Sequence, residues 1–416
     1  MVMLNTCRSP LTPLFKQGVF KVGGKKEKRS DLLLIKSEKD HHFLNGKIML
    51  NSLINKLKEV KDFRKNQGRR HELWVVLAII ILALLTGKAS YKEIADFSKA
   101  EEKKLIKILS IPADKLPSYS TIRRVIIGLN KIEFQSLFQS IVSQYYGDKE
   151  KEDWIAIDGK SLKNTISDYE NKYQNVLIMV SWFSQETKLI IKVESQENKK
   201  RSENAVVLSM IQQCNLSNKV FTLDALHCSK ELTKTIIDSK NDYVITVKRN
   251  QIKLHNRLQE LAKIRKPLTV YQSIDKSHGR YVIRKISVFD GEEIGHKNYP
   301  HIKSFIKIER MGFRGDKEYN QTLYYISSKK LSAEIFARRI QAHWLIENQV
   351  HWVKDVIFHE DKSRIKNKEV AGKLSLLVTL VLNIYRSCGF ISIKDGMSWL
   401  GKKWEKILLI DDFNPI

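Results

Sequence analysis

Three acids in this chain have the types and settings for divalent-metal chemistry: Asp158, Asp224 and Glu347. Asp158 follows Trp-Ile-Ala-Ile and precedes Gly159, and Asp224 closes the run Val220 to Leu223. Each run reads as a short buried strand that ends on a carboxylate. Such a group is costly to bury unless it is paired, and a shared cation is the commonest reason for two acids to converge. Magnesium suits them, because it takes oxygen ligands and keeps several waters, so two aspartates, one further carboxylate and substrate phosphates suffice. The best third acid is Glu347, within HWLIENQVHWVKD at 343–355. Ile346, Val350, Val353 and Ile357 form an inward apolar stripe on a helix, and His343, Glu347, His351 and Lys354 run beside it as a polar stripe that can meet a site. Each acid also has a plainer reading. Asp158 before Gly159 fits a turn, Asp224 before Ala225 fits a cap, and Glu347 fits a surface acid paired with Lys354. The histidine spacing permits a zinc reading too, but it is not HExxH and no cysteine assists it.

The elements that would position these acids follow from the periodicity around them. Residues 1–48 carry ten basic and four acidic side chains without apolar periodicity, which predicts a disordered basic extension. Met49 opens a stretch that reads as a second candidate beginning. A helical region spans 49–148, with apolar spacings of three and four and a break between Pro112 and Pro117. Ser120 is the expected cap of a helix carrying Arg123 and Arg124; a helix-turn-helix that reads DNA ends and an ordinary bundle with solvated arginines fit it equally. From Trp154 onward strands alternate with helices. Asn175 to Phe183 and Lys188 to Glu194 read as a hairpin, and Asp242 to Lys248 as a fifth strand. This predicts an α/β layer with partly parallel pairing over 149–390, interrupted at about 265–330 by a β-rich insertion. Helix resumes from Ser332 to about Phe358 and again from Val370 to Arg386, and 391–416 reads as a tail.

Composition points to a polyanionic partner. The chain has 416 residues, with 73 lysines and arginines against 46 acids, a formal charge of +27 and a pI near 9.7. Nucleic acid is the first expectation, and a merely soluble basic protein is the rival. The longest uncharged apolar run, Leu73 to Leu85, is short of the roughly 20 residues that a spanning helix needs, so it reads as a buried helix and no membrane partner is expected. Cys7, Cys214, Cys228 and Cys388 lie far apart with no CxxC pair, which fits a reducing cytoplasm.

Several motifs resemble those of the DDE transposases of bacterial insertion sequences, in the branch that includes the H-repeat-associated proteins. They are KLKEVKDFRKNQGRRHELW at 56–74, YKEIADF at 91–97, PSYSTIRRV at 117–125, IAIDGKSLK at 155–163, TLDALHC at 222–228, YVITVKRNQ at 243–251, HGR at 278–280 and HWLIENQVHWVKDVIFHED at 343–361. The resemblance runs from about Leu53 to Arg386. Departures are Gln341 where arginine is commoner, Ser229 where glutamine often stands, and RSEN at 201–204 for a KSNE-like run.

The resemblance implies an RNase H-like catalytic core behind an all-helical N-terminal domain, with the DDE triad on Asp158, Asp224 and Glu347. It implies two Mg²⁺ ions, which Mn²⁺ can replace, and DNA cleavage and strand transfer at the ends of an insertion sequence. Double-stranded DNA, both terminal inverted repeats and target, would be the partner, with a homodimer pairing two ends at the nucleoid. The expected DNA contacts are Arg69, Arg70, Arg123, Arg124, Lys160, Lys248, Asn250, Arg280, His343 and Lys354. Two alternatives use the same residues: a catalytically inactive DNA-binding derivative of such an element, and a metal-dependent repair nuclease.

Overall fold

The computed structural model describes residues 50–407, apart from 113–114, 147–150, 173, 277–279, 293, 295–298, 300 and 315–316. The basic extension and the last residues lie outside this description. Helix α1 covers 50–59, followed by α2 (Leu73–Leu85), α3 (Tyr91–Ala100), α4 (Glu102–Leu109), α5 (Tyr119–Gly128) and α6 (Lys131–Tyr145). The apolar sequence of α2 leaves it no polar face, and all its residues but Trp74 are buried. Each of α3, α5 and α6 begins at a side-chain cap. Ser90 and Glu93 form a capping box, and Asn130 accepts from the N–H groups of Ile132 and Glu133. The cap of α5 is Ser118, whose hydroxyl accepts from the Thr121 N–H, and not Ser120, which is already the second residue of the helix.

Nine strands among the described residues form one sheet: β1 (Asp153–Ser167), β2 (Asn175–Ser184), β3 (Ile190–Glu197), β4 (Lys219–Leu223), β5 (Asp242–Val247), β6 (Thr269–Asp275), β7 (Arg280–Asp290), β8 (Ser304–Arg314) and β9 (Lys317–Ser327). Their order is β3-β2-β1-β4-β5-β9-β8-β7-β6. The strands β1, β4 and β5 are parallel, and every other pairing is antiparallel. The β-rich segment is thus an insertion in chain order only. Its last strand pairs with β5, so β6 to β9 widen the sheet instead of folding apart from it.

Helices α7 (Glu203–Gln212), α8 (Lys230–Asp238) and α9 (Ile252–Ile264) follow β3, β4 and β5. Ser229, unusual for the motif it follows, caps α8 by accepting from the Leu232 N–H. After β9 come α10 (Ala333–His343), a π-helical turn (Glu347–His351), α11 (Trp352–Val356), α12 (Lys368–Ser387) and α13 (Ile393–Lys403). The single helix expected from Ser332 to Phe358 is therefore broken by a turn at Trp344 and by the π turn.

Alternation along the strands sorts the core into two faces. Trp154, Val220 and Val244 pack under Phe336 and Ile340 of α10, and Ile155, Ile157 and Phe221 belong to the larger cluster on the other side. Helix α12 passes among β1 to β3 and the helices α2, α5 and α6, so the core is continuous across residue 148. The Tyr385 hydroxyl donates to the Leu85 carbonyl, and Lys373 Nζ donates to the Ile127 carbonyl at 2.8 Å. Helix α12 is long and apolar enough to cross a membrane, but it is 89% buried within the protein and serves as a core helix. The segment read as a tail begins with α13, whose Leu400 is fully buried beside Trp404 in the same core.

Candidate active site

Parallel pairing of β1 and β4 sets the first two acids side by side. Ala156 is in register with Thr222, so two residues on, Asp158 and Asp224 come side by side on the face covered by α10, but only β4 ends there; the strand expected to stop at Asp158 runs on to Ser167 along β2. Glu347, at the start of the π turn, reaches that end from above. All three acids line one cleft of about 400 Å³, together with Lys248, Arg310, His343 and Trp344. A ligand atom from each of Asp158, Glu347 and His351 lies within 4.8 Å of the others. Asp224 shares the cleft but stands outside that tight group. Its carboxylate accepts from the Leu226 N–H at 2.9 Å, so the capping role read for it from sequence also holds.

The acids keep company with histidines. His351 Nδ1 lies 3.3 Å from Asp158 Oδ2. Burial pushes the Asp158 carboxyl up, but the His351 hydrogen bond and charge, the His343 charge and the Gly159 N–H together outweigh it and hold the group below its usual value. His343 Nδ1 is 2.9 Å from Thr222 Oγ1. Burial holds this imidazole below its usual pKa, against the pull of Asp158 and Asp224, so it is neutral at pH 7. Among the described residues no lysine or arginine pairs with Asp158, Asp224 or Glu347; their ion-pair partners are His351 and His227. Oxygen donors without a resident counter-cation fit a hard divalent metal.

A fourth carboxylate escaped the sequence reading. Glu203, inside the RSEN run, lies on the opposite face of β1, where its carboxylate occupies the space a Cβ on Gly159 would need. It bonds His227 Nε2 at 3.2 Å, and that buried imidazole stands 3.9 Å from Asp224 Oδ1. Asn204 Nδ2 donates to the Leu226 carbonyl, and Asn250 and Gln251 donate to the Ala225 and Cys228 carbonyls. The loop holding Asp224 is thus tied down from α7 on one side and from the YVITVKRNQ motif on the other. The glycine after Asp158 and the displaced acid of RSEN were the available signals, and neither points to the other without the fold.

The expected DNA contacts separate into groups. Arg69, Arg70, Arg123, Arg124 and Lys248 are exposed. The side chain of Arg280, with His278 and Gly279, lies outside the described residues. Three expectations need correction. Lys160 is buried, with Nζ at 2.8, 3.1 and 3.3 Å from Asp355, Glu360 and Asp361, so its charge is already satisfied. Lys354 is also buried and donates to the Ser375 carbonyl and hydroxyl. The π turn explains this: the Trp352 N–H bonds back to the Glu347 carbonyl, five residues away, and one extra residue in a turn rotates everything downstream by about 100°. The polar stripe therefore splits, and Lys354 turns from the cleft into the core. Asn250, though exposed, spends its amide on the Asp224 loop. His343 lines the cleft but is engaged with Thr222.

Comparison with known proteins identifies the family. The transposase DDE domain family matches residues 149–384, and the DDE_Tnp_1-associated family matches 54–142. The chain is 29% identical over 381 residues to "Putative transposase YncI" of Escherichia coli O157:H7, covering 85% of this chain and 92% of that protein. It is 27% identical to "H repeat-associated putative transposase YhhI" of Escherichia coli K12, covering 80% and 90%. "Putative protein YbfL" of the same strain is 28% identical over the same shares. The chain belongs to the DDE transposase family, in its H-repeat branch.

Proposed function

We propose that the protein cleaves the ends of an insertion sequence and joins them to target DNA, with Asp158, Asp224 and Glu347 holding two divalent ions. The observation that carries this is convergence. Acids 66 and 123 residues apart in sequence meet in one cleft, and among the described residues no lysine or arginine forms an ion pair with them. The strand order β3-β2-β1-β4-β5, with only β2 running against the other four, supports an RNase H-like core. Magnesium, or manganese in its place, would supply activation of a water and then of a 3′-hydroxyl, and stabilisation of the departing oxygen.

The chain's own residues do the rest. Asp158, close to Glu347 and in the same cleft as Asp224, would be held in common by the two ions, with Asp224 and Glu347 each serving one of them. Lys248 and Arg310, on the cleft wall, meet the phosphates flanking the scissile bond. His343, kept neutral, adds no charge to repel the ions. The positive surplus, with Arg69, Arg70, Arg123 and Arg124 exposed on the helical region, binds the DNA backbone in a salt-dependent way. Joining two ends calls for a dimer at the nucleoid. The test is incubation of the purified protein with its terminal-repeat DNA and Mg²⁺ beside an Asp158→Ala control. Nicking by the wild type alone is expected; no cleavage by the wild type overturns the reading.

A further inference from the structure

The Glu347 side of the centre holds a donor that the triad does not include. Glu347 and His351 are the first and last residues of the π turn, and residues four apart on a helix are neighbours on one face. His351 is 7% exposed, with Nδ1 turned to Asp158 Oδ2 at 3.3 Å and Nε2 without a hydrogen-bond partner. The 4.8 Å limit on the ligand atoms of Asp158, Glu347 and His351 is close to the roughly 3 to 4 Å between donors around one ion with bonds of about 2.1 Å. Asp224 lies outside this set; its Oδ1 accepts from the Leu226 N–H and stands 3.9 Å from His227 Nε2.

The geometry points to His351 as the third protein ligand of the ion on the Glu347 side, making that position a mixed nitrogen–oxygen site selective for a divalent transition ion over magnesium. The assignment rests on the metal centre proposed above. Magnesium favours an all-oxygen shell with several waters, whereas an imidazole nitrogen favours later divalent ions, so the two positions of the centre differ in chemistry. The other position, between Asp158 and Asp224, keeps oxygen donors only and suits magnesium.

The experiment uses the full chain with Mn²⁺ as the probe, titrated by calorimetry against Mg²⁺ and examined by pulsed electron paramagnetic resonance for ¹⁴N coupling. Wild-type protein is expected to show the coupling. It should persist in the His227→Gln/His343→Gln double variant, which removes the two other nearby imidazoles, and vanish in His351→Gln. The preference for Mn²⁺ over Mg²⁺ should fall by about tenfold in His351→Gln. Because the double variant leaves His351 in place, the assignment stays testable even where His351→Gln fails to fold. Mn²⁺ bound without ¹⁴N coupling, or coupling that survives loss of His351, overturns it while leaving the triad intact. Unchanged Mn²⁺ affinity in Asp158→Ala overturns the metal centre itself, and this assignment with it.

Discussion

Two groups of carboxylates sit on the same pair of elements, β1 and the helical segment after β9, and they are neutralised in different ways. Asp355, Glu360 and Asp361 close around Lys160, whose pKa they raise against the opposing effect of burial. Two residues back along β1, Asp158 meets Glu347 and His351 with no lysine or arginine among the described partners. Burying acids poses one electrostatic problem, and the chain solves it internally in the first group and leaves it open to an external cation in the second. The paired group fastens the Glu347 segment to β1. The open group is where chemistry can occur.

The largest effect should come from the open group. Asp158→Asn is expected to abolish metal-dependent nicking while changing the unfolding free energy by no more than about 1 kcal/mol, read by gel assay and urea denaturation. Loss of activity that merely tracks unfolding would erase the distinction between the groups. In the paired group the order reverses: Lys160→Met leaves Asp355 and Glu360 without their ion pair and Asp361 with Lys163 alone, and should destabilise by about 3 kcal/mol, toward the low end for a broken buried pair because Asp355 is partly exposed. A change below about 0.5 kcal/mol would show that solvent already screens the cluster. Adding Glu360→Gln to Lys160→Met should restore about 1 kcal/mol, a coupling that the double-mutant cycle measures directly.

The smallest effect concerns an acid paired at the surface. Glu197 is held at about 2 by Lys200, Asn175 and Lys368. Its folded pKa is depressed, so its contribution is full above the unfolded value of 4.5 and is lost as pH falls toward 2. Glu197→Gln should therefore cost less than about 1 kcal/mol at pH 7, given its exposure, and nothing at pH 2. A difference that persisted in acid would place the effect in packing instead of charge.

Much of this arrangement was legible in the sequence because it follows from local periodicity. The runs before Asp158 and Asp224 announce two strands, though β1 carries on past Asp158 to Ser167, and parallel pairing then needs only the register of Ala156 with Thr222 to bring the acids together. The apolar run Leu73 to Leu85 likewise fixes its own burial. Glu347 was found through its motif, since its helical spacing fits a surface acid equally well.

What the sequence by itself determined, then, is which acids are candidates and the strands and helix that bear them, Asp158 and Asp224 from neighbours a few residues away and Glu347 from its motif. Only the tertiary structure decided which charges are already paired. Lys160 looked like a DNA contact until residues some 200 positions later closed around it, and Lys354 did so until the π turn rotated it toward Ser375. His351 and Glu203 were chosen in the same way, by an extra residue in one helical turn and by a glycine that leaves room beneath β1. Pairing is a property of distance in space, and spacing along the chain carries it only within a single element.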